Sequence, residues 1–341
     1  MKKLDRQRRV DLVSLLSNMK TAIDLLIIVG VISALGTFIP QGQTPDFYLS
    51  QYGTWIGKGI LLGSLNSLYQ SWWYQILIGL LCLSLSVCCY RRLRHARSIK
   101  KAASLSFHLA IVIILAGAAW SLGYARSVAV EINAGDKINL ANYGFSPSEL
   151  GLKQFKIDYY PDYQPRQYRS QLQLKGYQGH DYTREISVNH PLQAGILKIY
   201  QRSWGWTLKL SDQSGEKVTP LRIKDHDAIL LDKAQGLYLQ AIFIPDYDPL
   251  AGIESKTPLP NNPRLILALV KDDQVQNMAI VPVGNKAQLA RYCFRFDGYS
   301  YYSGLEIKSD PGVYLVYTGF VFLLIGLIAR YWQLFFIRKV D

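Results

Sequence analysis

The sequence predicts a membrane protein with four transmembrane α-helices and a large all-β extracytoplasmic domain between helices 3 and 4. Three observations lead there. Four apolar runs, Ala22–Ile39, Trp72–Tyr90, Leu105–Leu122 and Val313–Ala329, punctuate the 341 residues. At about 1.5 Å per residue each nearly spans a hydrocarbon core of about 30 Å. The formal net charge of +13 is lopsided: segments 1–20, 91–104 and 330–341 hold 15 Lys and Arg against three acidic residues, whereas 125–312 holds 22 basic and 20 acidic. Finally, 125–312 alternates apolar and polar residues with period two, as in Val128-x-Val130-x-Ile132, Phe155-x-Ile157-x-Tyr159 and Trp206-x-Leu208-x-Leu210.

The elements follow in order. Residues 1–20 form a basic segment that the positive-inside bias places in the cytoplasm. The first span, 21–40, ends in Gly36-Thr37-Phe38-Ile39-Pro40 without a small-residue cleavage site, and three further spans follow it, so it reads as a retained anchor. Loop 41–71 is external. Its Ile56, Ile60, Leu61, Leu62, Leu65 and Leu68 include helical spacings, which predicts a helix lying on the membrane surface. The second span, 72–90, opens on Trp72-Trp73-Tyr74, suited to the interfacial aromatic belt. A basic cytoplasmic loop, 91–104, leads to the third span, 105–124. The β-rich domain occupies 125–312, its strand-like runs separated by Pro161-Asp162, Ser214-Gly215, Pro245-Asp246 and Asp272-Asp273. The fourth span is 313–330, with a cytoplasmic tail at 331–341.

This layout excludes several functions. The positive charge is spent on topology, so no nucleic-acid partner is implied, and the partner written into the sequence is the lipid bilayer. None of the cytoplasmic pieces is long enough to bury a core, which counts against an ATP-driven machine or a sensor kinase. There is no Walker A loop, G-x-S-x-G, H-E-x-x-H or C-x-x-C-H, and no C-x-x-C for thiol–disulfide chemistry. No catalytic residue is assigned. Cys82, Cys88 and Cys89 in the second span read as small, polarizable packing residues.

One residue stands out. His108, in Ser104-Leu105-Ser106-Phe107-His108-Leu109, is the only histidine within a span. Ionisable side chains are costly in a bilayer, so they mark candidate sites. Imidazole is the usual protein ligand of haem iron. Two readings are balanced: an axial ligand to haem iron, or a neutral histidine hydrogen-bonded to Ser104 or a neighbouring helix. Asp24, four residues after Lys20, reads as a local ion pair. His180, His190 and His226 lack metal-ligand spacing and read as exposed polar residues, and His95 as part of the basic loop.

The chain resembles the ResB-type cytochrome c biogenesis proteins, the CcsB-like subunits of the System II pathway. The resemblance rests on Leu35-Gly36-Thr37-Phe38-Ile39-Pro40-Gln41, Ser71-Trp72-Trp73-Tyr74, Val87-Cys88-Cys89-Tyr90-Arg91-Arg92, Phe107-His108, Phe155-x-Ile157-x-Tyr159-Tyr160-Pro161-Asp162, Ile186-x-Val188-Asn189-x-Pro191-Leu192 and Asp310-Pro311-Gly312. It implies a subunit, non-catalytic alone, of a complex that exports haem and supports its covalent attachment to apocytochrome c outside the membrane. It implies haem b held transiently as cargo, with His108 as one axial ligand. A CcsA/ResC-type membrane partner, bearing a tryptophan-rich motif absent here, would supply the other ligand. The outer domain is short for that family. The implied location is a bacterial plasma (inner) membrane, or a thylakoid. The alternative is a membrane-anchored β domain that scaffolds an assembly without touching haem.

Overall fold

The computed structural model describes residues 18–93, 98–250 and 252–336. Most of the predicted basic segment 1–20, His95, and the end of the tail 331–341 lie outside the described residues. The chain divides into two compact units. One comprises residues 1–125 and 310–341, the other 126–309. Among the described residues four helices are long and apolar enough to cross a membrane, with the β unit inserted in the chain between the third and fourth of these.

In the helical unit, α1 (Met19–Phe38) is N-capped by Asn18, whose side-chain oxygen accepts the Lys20 amide at 3.1 Å. The predicted surface helix is α2 (Pro45–Leu62), but it is not one rod. Gly53, at φ +74° and ψ 168°, breaks it into two pieces. Only glycine takes that conformation cheaply. The pieces fold back so closely that a Cβ on Gly57 would lie 2.6 Å from the Tyr48 carbonyl oxygen. Ile60 and Leu68 are buried, whereas Trp55 is 90% exposed and Ile56 and Leu62 point outward.

Helix α3 spans Trp72–Leu93. Helix α4 (Ile99–Tyr124) starts six residues before the apolar run, because Ser98 accepts the Lys101 amide at 3.4 Å and caps it there. Helix α5 spans Val313–Phe336. Helices α4 and α5 run antiparallel along a stripe of small residues. A Cβ built on Gly312, Gly319 or Gly326 of the α5 side would approach backbone or side-chain atoms of Gly117 and Ser121, of Ala110 and Ile114, and of Ala103 and Phe107 respectively. Both stripes repeat every seven residues, which keeps one seam facing the partner helix. Lipid offers no hydrophobic gain for helix association, so close backbone approach over small residues is what holds such pairs. Hydrogen bonds tie the two ends of the seam: Ser106 Oγ donates to the Phe322 carbonyl at 2.9 Å, and Ser121 Oγ to Asp310 Oδ1 at 2.6 Å.

The second unit is all-β, with its named strands paired antiparallel in three sheets. One sheet runs β2 (Lys137–Asn139), β3 (Glu149–Tyr159), β4 (Pro165–Tyr177), β5 (His180–Ser187). A second runs β12 (Gln274–Pro282), β11 (Arg264–Lys271), β10 (Leu237–Ile244), β9 (Ala228–Asp232). The third is built on two long strands, β7 (Leu197–Asp212) and β14 (Tyr292–Ser309), with β1 (Arg126–Asn133), β6 (Leu192–Ala194), β8 (Thr219–Lys224) and β13 (Lys286–Leu289) beside them. Arg126 pairs with Ser309, so the chain enters and leaves the unit side by side.

Two hydrophobic cores result. Leu150, Leu172, Leu174, Ile186 and Leu305 sit in one, and Leu208, Leu239, Leu267, Phe294 and Phe296 in the other. Strands β7 and β14 pass through both cores. Trp204 and Tyr301 pack against each, and the Trp206 ring stacks on Tyr301 at 3.9 Å. Burial there pushes the Tyr301 hydroxyl far above its ordinary pKa. The dense run Leu265–Leu269 belongs to an inner strand buried on both faces, which is why it does not alternate.

Candidate functional site

Helices α1, α3, α4 and α5 enclose a cavity of about 570 Å³. That is within the range of about 300–1,000 Å³ usual for small-molecule sites. Ala22, Ile23 and Leu26 line it from α1, Leu81, Leu85, Cys88 and Arg92 from α3, Ser104, Phe107, His108 and Ile111 from α4, and Leu327, Arg330 and Tyr331 from α5. The wall is mostly apolar. Its polar groups come from the last turn of α3, the early turns of α4 and the later part of α5.

His108 is the one histidine of that wall, which also holds Cys88 and Tyr331. It lies half-buried, nine residues into α4, or about 14 Å along the axis from the helix start. Its Nδ1 donates to the carbonyl oxygen of Ser104, one turn earlier, at 2.7 Å. A carbonyl only accepts, so Nδ1 carries a proton in this bond, and in the neutral ring the lone pair then lies on Nε2. The hydrogen bond to Ser104 expected of a merely satisfied histidine is therefore present, and it also orients the ring as a ligand needs. Ser104 serves twice, since its hydroxyl accepts from Arg92 Nη1 at 2.8 Å. Imidazole and guanidinium are thus both anchored to one residue at the cavity wall.

The other sequence candidates do not join this site. Lys20 and Asp24 are both exposed, and among the described residues no ion pair joins them, contrary to the expected local pair. Cys88 lines the cavity, Cys89 is buried, and all four cysteines are free thiols. His180, His190 and His226 are exposed on the β unit. The first two hydrogen-bond backbone carbonyls two residues earlier, at 3.0 and 3.1 Å, and His226 sits in a turn at φ +61°. Among the described residues no three His, Cys, Asp or Glu side chains gather to hold a metal ion.

The β unit has a second, more open cavity of about 380 Å³, lined by Trp204, Gly205, Trp206, Asp225, Pro245, Pro258 and Tyr302. Asp225 is committed to accepting the Phe243 amide at 2.7 Å. Its other oxygen, Oδ2, lies 3.8 Å from Nε2 of the exposed His226.

Sequence reasoning singled out His108 but not the two arginines beside it. Arg92 and Arg330 register in the sequence only as topology signals, and nothing in their spacing says that α3 and α5 bring them to one cavity.

Four apolar helices around a half-buried histidine, with an all-β unit inserted between the third and fourth, define a multi-pass membrane protein. The chain matches the ResB-like family over residues 19–102, 97–289 and 237–334, and it belongs to that family. It is similar to proteins named cytochrome c biogenesis protein CcsB. The protein from Synechococcus sp. (strain CC9605) is 28% identical over 91% of this chain and 85% of its own length. That from Prochlorococcus marinus (strain MIT 9313) is 29% identical over 92% and 87%. Both alignments, of 378 and 388 positions, exceed the 341 residues of this chain, so the relatives carry insertions. The solved cytochrome c haem lyase CcmF aligns with 92% of this chain and 35% of that one at 12% identity and a TM-score of 0.32.

Proposed function

We propose that this chain works in cytochrome c biogenesis, as the subunit that receives haem in the membrane at His108 and supports its export and attachment to apocytochrome c. The observation that carries the reading is the His108 imidazole, lining a mostly apolar cavity between spans with its Nδ1 proton committed to Ser104 and Nε2 available. An iron ligand needs that tautomer. The apolar wall of α1, α3, α4 and α5 suits the flat hydrophobic face of a porphyrin, and family membership supports the same role.

When bound, haem supplies iron as the electrophilic centre that imidazole ligates. The chain's own residues do the holding. His108 offers one axial position, Ser104 keeps the ring from rotating, and Phe107, Leu85 and Ile111 present apolar surface. No other histidine lies in a span, and the family resemblance assigns the second axial position to a haem-handling membrane partner of the CcsA/ResC type. A cargo held by one ligand from each of two chains is released when either moves. The charge bias supports a topology with the basic segments cytoplasmic and the β unit outside, in a bacterial plasma membrane or a thylakoid. There the β unit serves as scaffold for the partner's outer loops or for the apocytochrome.

The test is a visible spectrum of the full chain purified with its membrane partner. The wild-type pair carries haem with a six-coordinate spectrum, and His108→Ala lowers the haem content and shifts the Soret band. An unchanged spectrum and haem content in His108→Ala removes the histidine from the site and leaves the scaffold reading.

A further inference from the structure

We propose that Arg92 and Arg330 form a carboxylate clamp at the basic end of the cavity. The clamp takes the two propionates of the tetrapyrrole and so fixes which way the cargo enters. This rests on the reading of His108 as the iron ligand and adds the orientation that one axial ligand cannot set, because a porphyrin is free to spin about the iron–nitrogen bond.

Three observations carry it. Both arginines line the same cavity as His108, the half-buried Arg92 from α3 and the exposed Arg330 from α5. The seam between α4 and α5 places Arg330 at its N-terminal-α4 end: Gly326 sits against Ala103, and Arg330 is one turn further along α5. Ser104 then sets the distance. Arg92 Nη1 is hydrogen-bonded to the Ser104 hydroxyl, one helical turn from His108, or about 6 Å along the axis. That is the order of the distance from a porphyrin centre to its edge.

The local charge supports an anionic occupant. The described acidic residues of the helical unit are Asp24, Asp46 and Asp310, and among the described residues none forms an ion pair with Arg92 or Arg330. Arg92 spends one N–H on Ser104 and has others to give. Arginine matches a carboxylate through paired N–H donors, so two arginines at one rim suit two carboxylates on one ligand edge. An apolar cavity with a cationic rim selects a flat apolar body with acids on one side. It disfavours a porphyrin whose acids are esterified.

The experiment uses the full chain in lipid nanodiscs, titrated with ferric haem and with its dimethyl ester, and followed at the Soret band. Wild type is expected to bind the free acid at least about tenfold more tightly, given the strength of charge-assisted hydrogen bonds. Arg92→Gln and Arg330→Gln each reduce that preference, and the double variant abolishes it while the His108-dependent band stays in place. Arg92→Lys retains part of it. Wild type that binds acid and ester equally, with a Soret band that still depends on His108, overturns the clamp and leaves the haem reading standing. Binding that ignores His108→Ala, or no binding of either porphyrin, overturns the haem reading and the clamp with it. The ester comparison on wild type needs no substitution, so it decides the matter even if an arginine variant fails to fold.

Discussion

Gly319 of α5 lies against the backbone of Ala110 of α4, so closely that a Cβ on the glycine would sit 2.9 Å from the Ala110 carbonyl oxygen and 2.5 Å from the Ile114 side chain. His108 is two residues from that contact. The pair that forms the seam therefore also sets one wall of the cavity. Gly319→Leu is expected to force the helices apart, costing about 1–3 kcal/mol as overpacked cores do. Gly30→Ala and Gly79→Ala, where an added Cβ meets nothing within 4 Å, are expected to be neutral or slightly stabilising. Thermal unfolding in detergent compares them. Equal melting of Gly319→Leu and wild type would show that the seam is not tight.

Asp310 closes the other end of the seam. Its Oδ1 accepts from Ser121 Oγ at 2.6 Å and from the Gly312 amide at 3.0 Å, joining the end of α4 to the start of α5. Asp310→Ala removes both bonds and is expected to cost about 1–3 kcal/mol. Asp310→Asn keeps a side-chain oxygen acceptor and should recover much of the loss. If Asp310→Asn melts as low as Asp310→Ala, the charge rather than the acceptor geometry is what matters there.

These cases show what the sequence makes legible. The four spans are visible because a helix in lipid must be apolar for its whole length, and the β unit because alternation reports a half-buried strand. His108 is visible because an imidazole in a span is rare. What escapes is any relation between distant segments. The seven-residue spacing of Gly312, Gly319 and Gly326 is written in the chain, but its match to Ala103, Ala110 and Gly117 needs α4 and α5 side by side. The kink at Gly53 escapes because glycine is common in such loops and only the fold-back onto Tyr48 makes its φ necessary. The expected Lys20–Asp24 pair fails because i,i+4 spacing permits contact without compelling it, and exposed ion pairs gain little.

Acid should loosen the β unit at Glu306. Its carboxylate is held below the ordinary glutamate value of 4.5, first by the Lys308 hydrogen bond at 3.1 Å and also by Ser127 Oγ, which donates to it at 3.0 Å. A depressed carboxylate pKa means stability that is complete above the unfolded value and is lost as pH falls through the folded one. The side chain is partly exposed, so the contribution is at most about 1 kcal/mol after screening. The melting difference between wild type and Glu306→Gln is expected to be constant above pH 5 and to shrink below 4.5. A difference that grows toward low pH would reverse the sign of this account.

Gln41 binds the C-terminal end of α1 to the turn before α3. The two N–H groups of its Nε2 are shared among the carbonyls of Gly36, Ile39 and Leu65, at 3.1, 2.9 and 3.0 Å, while its Oε1 accepts the Leu68 amide at 3.0 Å. The carbonyls of Gly36 and Ile39 lie at the end of α1, where the last turns of a helix leave carbonyl groups without an intrahelical partner. Nearby, the fully buried Tyr48 donates its hydroxyl to the Pro40 carbonyl and accepts the Gln43 amide at 3.2 Å. Gln41→Glu keeps the size and the acceptor but loses the amide donor, so carbonyls are left facing a carboxylate. It is therefore expected to be worse than Gln41→Ala, whose cost is about 2–3 kcal/mol. Limited proteolysis of loop 41–71 reads this directly. Cleavage should accelerate in both variants and most in Gln41→Glu. If Gln41→Glu is cut no faster than wild type, the amide donor is not what fastens the loop to α1.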